Sequence, residues 1–157
     1  MVWMSITKVR YSHMIGLLEV LEGFGGRVDV AKIADDTRLE LDDLLPVIEV
    51  TELLGFVMVD SGDLVLKDEG LKFLSDGARG RKKRLGERLL MLEPFKRVLE
   101  FVSKREEKYV TKEELLNFLM ETMPGADSEV MLRSIIDWGR HGLLLRYSSK
   151  EDKIKLT

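Results

Sequence analysis

Three observations predict a mostly α, α+β chain built from two similar small modules joined by a helical connector. Apolar residues recur at three- and four-residue spacing through most of the 157 residues, the mark of amphipathic helices. Twice a helix-stopping glycine, Gly55 and then Gly142 87 residues later, is followed by a short strand, a polar turn and a second strand. The composition, 45% apolar and 34% charged with only 3 Pro, supplies a core and excludes disordered and fibrous classes. Two copies at that offset describe a duplicated small domain, because a solenoid stacks three or more shorter units.

In the first module, Met14, Leu17, Leu18, Leu21 and Phe24 line one face of a helix that begins near Ser12, and Gly25-Gly26 stops it. Residues 27–30 are long enough only for a stub of strand. Asp29 is placed to cap a brief second helix that turns Ile33 and Ala34 inward. Asp42 reads as the cap of the third helix, 43–54, with Pro46 near its first turn, where a missing N–H costs little, and Gly55 just past its end. Residues 56–59 and 64–66 alternate as strands around Asp60-Ser61-Gly62-Asp63, a turn sequence. A further helix follows to Leu74, with Gly77 and Gly80 as its stops.

Residues 81–92 form the connector, basic on its outer face and apolar through Leu85, Leu89 and Leu92. Pro94 opens a helix with Phe95, Val98, Leu99 and Val102 on one side. Lys108-Tyr109-Val110 repeats the strand stub, and Thr111 with Glu114 makes a capping box for the next helix. Asp127 or Ser128 caps a helix carrying Val130, Leu132, Ile135, Ile136 and Trp138, and residues 143–147 and 153–156 form a second hairpin. Three helices followed by a hairpin is the winged-helix order. The expected layout is tandem winged-helix-like modules with β-hairpin wings at 9–76 and 94–157, flanking a basic helical connector at 77–93.

The absence of cysteine removes disulfides, thiolate metal sites and thiol nucleophiles, and fits a cytoplasmic protein. Only His13 and His141 supply imidazole, too few for the usual zinc or triad chemistry. No phosphate loop, dinucleotide fingerprint or HExxH occurs, so neither an enzyme nor a cofactor is expected. The first residues do not read as a secretion signal, and no apolar run approaches the ~18 residues of a membrane span.

The net charge of −3 is unevenly spread. Residues 35–54 hold seven acids (Asp35, Asp36, Glu40, Asp42, Asp43, Glu49 and Glu52) against the single base Arg38. A third helix of that charge repels the phosphates a groove-binding helix must approach. The first wing adds Asp60 and Asp63 at its tip with no base beside them. Between residues 79 and 97 the balance reverses: Arg79, Arg81, Lys82, Lys83, Arg84, Arg88, Lys96 and Arg97 face only Glu87 and Glu93. In the second module, Arg133 and Arg140 on the third helix and Arg146, Lys150, Lys153 and Lys155 on the wing make a mildly positive edge. The acidic face (Asp42, Asp43, Glu49 and Glu52) and the 81–84 basic tetrad are thus complementary docking candidates, which favours a protein partner or a second copy of the chain over DNA.

The segments Val9-Arg10-Tyr11-Ser12-His13-Met14-Ile15-Gly16-Leu17-Leu18-Glu19-Val20-Leu21, Leu39-Glu40-Leu41-Asp42-Asp43-Leu44-Leu45-Pro46, Glu52-Leu53-Leu54-Gly55-Phe56 and Ile136-Asp137-Trp138-Gly139-Arg140 carry a resemblance. In that order they resemble the C-terminal AAA-associated domain that follows the ATP-binding cassette of nitrate, sulfonate and taurine type importers. The resemblance spans roughly residues 9–147 and implies an accessory, regulatory role on an ABC transporter ATPase, with no active site to carry over. No Walker A or signature motif lies in the chain, so a freestanding module is expected, acting either on a separately encoded ATPase or as an independent regulator. The rival expectation is a winged-helix transcriptional regulator that holds DNA through the connector and the second wing.

Overall fold

The computed structural model describes residues 2–37 and 39–157, and among them eight α-helices and two three-stranded antiparallel sheets. The mostly α, α+β class therefore stands. The chain divides into two compact units, 1–81 and 82–157.

In the first unit a 3-10 helix, Val2–Lys8, precedes α1 (Tyr11–Gly23), β1 (Arg27–Asp29), α2 (Val30–Thr37), α3 (Leu41–Leu53), β2 (Val57–Asp60), β3 (Asp63–Leu66) and α4 (Asp68–Ser75). The strand order is β1-β3-β2, so the stub at 27–29 becomes an edge strand, with Val28 opposite Leu64. Met14, Leu18 and Leu21 of α1, Ile33 of α2, Leu44 and Val50 of α3, Phe56, Leu64 and Phe73 are all buried at 1% exposure or less. Phe56 and Phe73 lie with ring centroids 4.9 Å apart.

Both helix stops at glycine are Schellman closures. After α1, Gly25 N–H donates to Glu22 and Gly26 N–H to Leu21. After α3, Gly55 N–H donates to Glu52 and Phe56 N–H to Thr51, with Gly55 at φ +82°. The turn between β2 and β3 has Ser61 at φ +54° and Gly62 at φ +85°, the type I′ geometry that matches strand twist.

Three details of the first unit depart from the sequence reading. The N-cap of α3 is Glu40, which makes no side-chain cap bond, and Asp42 and Asp43 lie in the first turn. There the carboxylates oppose the positive end of the helix dipole instead of closing it. Pro46 is inside α3, past the first turn, and the helix continues across it because α1 and the 3-10 helix pack along its length. Gly80 does not end α4. Ser75 does, and Gly80 belongs to α5 (Ala78–Leu89).

The division between units falls inside α5. The second unit continues through α6 (Glu93–Ser103), β4 (Tyr109–Val110), α7 (Lys112–Thr122), α8 (Ser128–His141), β5 (Leu145–Ser148) and β6 (Lys153–Leu156), with strand order β4-β6-β5. Its core gathers Leu85, Leu89, Phe95, Val98, Val102, Val110, Leu115, Ile135, Trp138 and Ile154. The capping box is formed: Thr111 Oγ1 accepts from Glu114 N–H at 3.1 Å, and Glu114 Oε1 accepts from Thr111 N–H at 3.2 Å. Asp127 caps α8, accepting from Val130 N–H at 3.2 Å.

The end of α8 corrects the repeat. Gly142 has φ −83° and is the C-cap; the left-handed residue is Leu143, at φ +57°. Leu143 N–H donates to Arg140 and Leu144 N–H to Gly139, the same closure that Gly55 and Phe56 make in the first unit. The counterpart of Gly55 is therefore Leu143, and the strands that follow begin at Val57 and Leu145. Gly142 is small for another reason: a Cβ on it would stand 2.8 Å from Leu89 Cδ1 and 3.0 Å from Gly86 Cα, and a Cβ on Gly86 of α5 would stand 2.1 Å from the Gly142 carbonyl oxygen. The two backbones touch where no side chain fits.

This contact makes opposite predictions for one substitution type. Gly86→Ala should destabilise the second unit by about 1–3 kcal/mol, since backbone must move to admit the methyl group. Gly16→Ala, in α1 with nothing within 4 Å of the new Cβ, should stabilise the first unit by roughly 0.5–1 kcal/mol through helix propensity. Denaturant titrations read by circular dichroism check both signs.

Candidate functional site

The exposed stripe of α3 follows its periodicity: Asp42, Leu45, Glu49 and Glu52 recur at three and four residues, with Leu41 and Asp43 beside them. The four acids expected to act together have different local roles. Glu49 accepts a hydrogen bond from Ser5 Oγ, which ties the 3-10 helix to α3 where Ile6 is buried. Glu52 Oε2 accepts from Val59 N–H at 3.3 Å and so occupies a donor of edge strand β2. Only Asp42 and Asp43 hold carboxylates without a partner among the described residues, and Leu41 (48% exposed) and Leu45 (42%) flank them. Arg38, the one base counted in this stretch, lies outside the described residues.

The first wing is not the bare acidic tip read from the sequence. β1 pairs with β3 and delivers Arg27, whose Nε donates to Asp63 at 2.9 Å and whose Nη2 donates to Asp60 at 3.1 Å. These bonds hold the exposed guanidinium above its usual pKa. No local pattern around Asp60 could reveal this base, because it arrives from 33 residues away.

The basic residues of the connector likewise separate by role. In the first unit Arg79 is exposed, whereas Arg81 closes the end of α4. Arg81 donates from Nε to Phe73 O at 3.2 Å and from Nη2 to Leu74 O at 2.9 Å, and its guanidinium lies over the Phe73 ring. In the second unit Lys82, Arg84 and Arg88 are half-buried, and Arg84 and Arg88 are engaged with their surroundings; Lys83 and Lys96 are exposed. Arg97 pairs with Glu93 at 3.1 Å.

On α8, Arg133 is exposed and Arg140 pairs with Asp137 at 3.1 Å. His141 lies 3.7 Å from the same Asp137. Burial lowers its pKa, Asp137 opposes that shift, and Lys82 and Arg140 add to it. In the wing, Arg146 and Lys150 are exposed, Lys153 Nζ sits 4.6 Å over the Tyr109 ring, and Lys155 faces Glu151 at 3.9 Å. Lys112 covers Tyr147 at 4.8 Å, so Tyr109 of β4 and Tyr147 of β5 each carry a cation on one face.

An open, mainly apolar hollow of about 320 Å³ lies between α1 and α3, lined by residues that include His13, Gly16, Leu17, Leu39 and Val47. Among the described residues no group of three or more His, Asp or Glu side chains is placed to hold a metal ion, and no helix is long and apolar enough to cross a membrane.

Compared with protein families, the chain matches the C-terminal AAA-associated domain over residues 31–148, three quarters of its length. The match includes the segments at 39–46, 52–56 and 136–140 that carried the resemblance, while the segment at 9–21 lies before it. No curated protein and no solved structure matches.

Two predictions follow the division between structural and exposed charges. Arg81→Lys should cost about 1–2 kcal/mol, because a lysine cannot reproduce the fork to two carbonyls, whereas Lys83→Ala should stay within about 0.5 kcal/mol. Thermal unfolding of the two variants checks the contrast. The folded-state pKa of His141 is depressed, so its contribution is present above the unfolded value near 6.5 and is lost as pH falls through the folded value. His141→Gln should flatten the pH dependence of stability below about 6.5, read from denaturation midpoints at successive pH values.

Proposed function

Because the chain belongs to the C-terminal AAA-associated domain family, we propose that it is a non-enzymatic, cytoplasmic accessory protein that docks on and regulates an ABC-type importer ATPase. The match over residues 31–148 carries this reading: the family's name associates it with AAA-type ATPases, and the family is not a catalytic one. We read the chain as winged-helix-like modules at 9–76 and 94–157 with a connector at 77–93. The order helix, strand, helix, helix, strand, strand and the sheet orders β1-β3-β2 and β4-β6-β5 support that assignment.

In a DNA-binding winged helix the third helix enters the major groove. Here α3 is acidic on its exposed stripe, and the 3-10 helix is tied to it at Glu49, which favours a protein-facing role. The docking surface in this reading is Asp42 and Asp43 with the exposed Leu41 and Leu45. An apolar centre with an acidic rim suits a basic, partly apolar surface on the partner. Glu49 and Glu52 hold the surface in shape instead of contacting the partner. A second copy of the chain is the competing occupant, with Lys83 on its exposed basic face.

Co-purification of the tagged protein from native lysate should retain an importer ATPase, and Asp42→Lys with Asp43→Lys should weaken that retention by about tenfold or more. Retention of no ATPase, or retention unchanged by the reversal, overturns the reading. A self-association that the same reversal removes assigns the surface to a second copy.

A further inference from the structure

The two sheets offer an internal comparison that the charge counts conceal. Strand register identifies the residues on each outer face. In the first unit one row across the sheet is Arg27, Val65 and Met58, and the next is Asp29, Asp63 and Asp60. In the second unit the row Tyr109, Lys155 and Arg146 takes the first place, and Lys153 pairs with Ser148 in the second. The inward positions remain apolar in both, as Val28, Leu64 and Val57 in one and Val110, Ile154 and Leu145 in the other are all buried. The fold is therefore kept while the solvent face changes from an acidic and apolar surface, already neutralised in part by Arg27, to a cationic one.

We propose that the outer face of the β4-β6-β5 sheet is a contact surface for the phosphate backbone of duplex nucleic acid, held by Arg146, Lys153 and Lys155. Arg146 and Lys155 are direct cross-strand partners, about 5 Å apart, and Lys153 lies two residues along the same strand, about 7 Å away. Three cations at neighbouring positions on one face form a short array that can meet neighbouring phosphates. They are carried on a paired sheet, and Lys153 is further held over Tyr109, so little backbone order has to be gained on binding. The residues around them line a shallow hollow of about 260 Å³ that also takes in Tyr147, Ser148 and Glu151.

The alternatives fit less well. Single strands are bound by stacking bases on exposed aromatic faces, and here Lys153 covers Tyr109 and Lys112 covers Tyr147. A bilayer surface calls for apolar side chains to insert, and none of the exposed large hydrophobic residues lies on this face. The bordering acid, Glu151, meets Lys155 only at 3.9 Å across exposed side chains, a weak pair that a phosphate can displace.

Titration of the full chain into a fluorescent duplex of mixed sequence, followed by anisotropy from low to moderate salt, tests this. Three phosphate contacts predict a log–log salt slope of about −2.7, or roughly a 500-fold loss of affinity per tenfold rise in salt. The variant Arg146→Glu, Lys153→Glu, Lys155→Glu should lose the binding while keeping its circular dichroism spectrum. If it fails to fold, the corresponding glutamine variant should cut affinity and bring the slope near zero. No binding at low salt overturns the proposal. So does binding that survives the sheet variants and disappears with Lys83→Glu, which would place the contact on α5, and so does capture of an acidic polypeptide but not of duplex.

Discussion

Two backbone-to-backbone contacts hold each unit's hairpin in place. In the first unit a Cβ on Gly70 of α4 would stand 2.3 Å from the carbonyl oxygen of Phe56, and in the second a Cβ on Gly86 of α5 would stand 2.1 Å from that of Gly142. Both carbonyls lie at the Schellman closure that turns the third helix into the hairpin. A neighbouring helix can press on that corner only where it offers glycine, since interiors packed at crystal-like density have no room for the methyl group. With the corner held, Phe56 and Phe73 pack with their rings tilted in one unit and Leu85, Leu89 and Trp138 are buried in the other. The clasping helix follows the hairpin in the first unit and precedes the whole module in the second, so the repeat shares a helix-and-hairpin core but not the element that locks it.

On this common frame the surfaces have diverged. The first unit ends up acidic on α3, with two of its acids engaged in holding the 3-10 helix and the edge of β2. The second presents Arg146, Lys153 and Lys155 together on a sheet face whose counterpart carries Met58, Asp63 and Val65. Burial leaves the inward residues of each strand little freedom, while alternation leaves their outward neighbours free to change sign. A single fold can thereby present an acidic surface at one end of the sequence and a cationic one at the other. The net charge of −3 is the sum of −6 over residues 1–81 and +3 over residues 82–157.

Features that depend on neighbouring residues alone are legible in the sequence. The capping box at Thr111 and Glu114, the Asp127 cap, the glycine stop at Gly55 and the turn at Ser61-Gly62 all depend on residues within a few positions of one another. The structure departs from the sequence pattern where a competing interaction outweighs the local one. Asp42 has a capping side chain, yet Glu40 occupies the cap and Asp42 lies two residues further on, within the first turn, where the helix dipole also favours a carboxylate. Leu143 adopts a left-handed backbone that glycine would take more readily, and the glycine beside it is needed instead for the approach of α5.

Composition, periodicity and turn chemistry by themselves determined the class and the repeated order of elements, and short sequence segments carried the resemblance to the AAA-associated domain, because each rests on short-range sequence. The tertiary structure decided which charges are available. Arg27 reaches Asp60 and Asp63 only through strand pairing, and Arg81 is drawn out of the basic tetrad by the carbonyls that end α4. Arg146, Lys153 and Lys155 become a single array only when two strands come into register. Charge counted along a chain is additive, but a surface is made by residues that distant contacts bring together and others that those contacts consume.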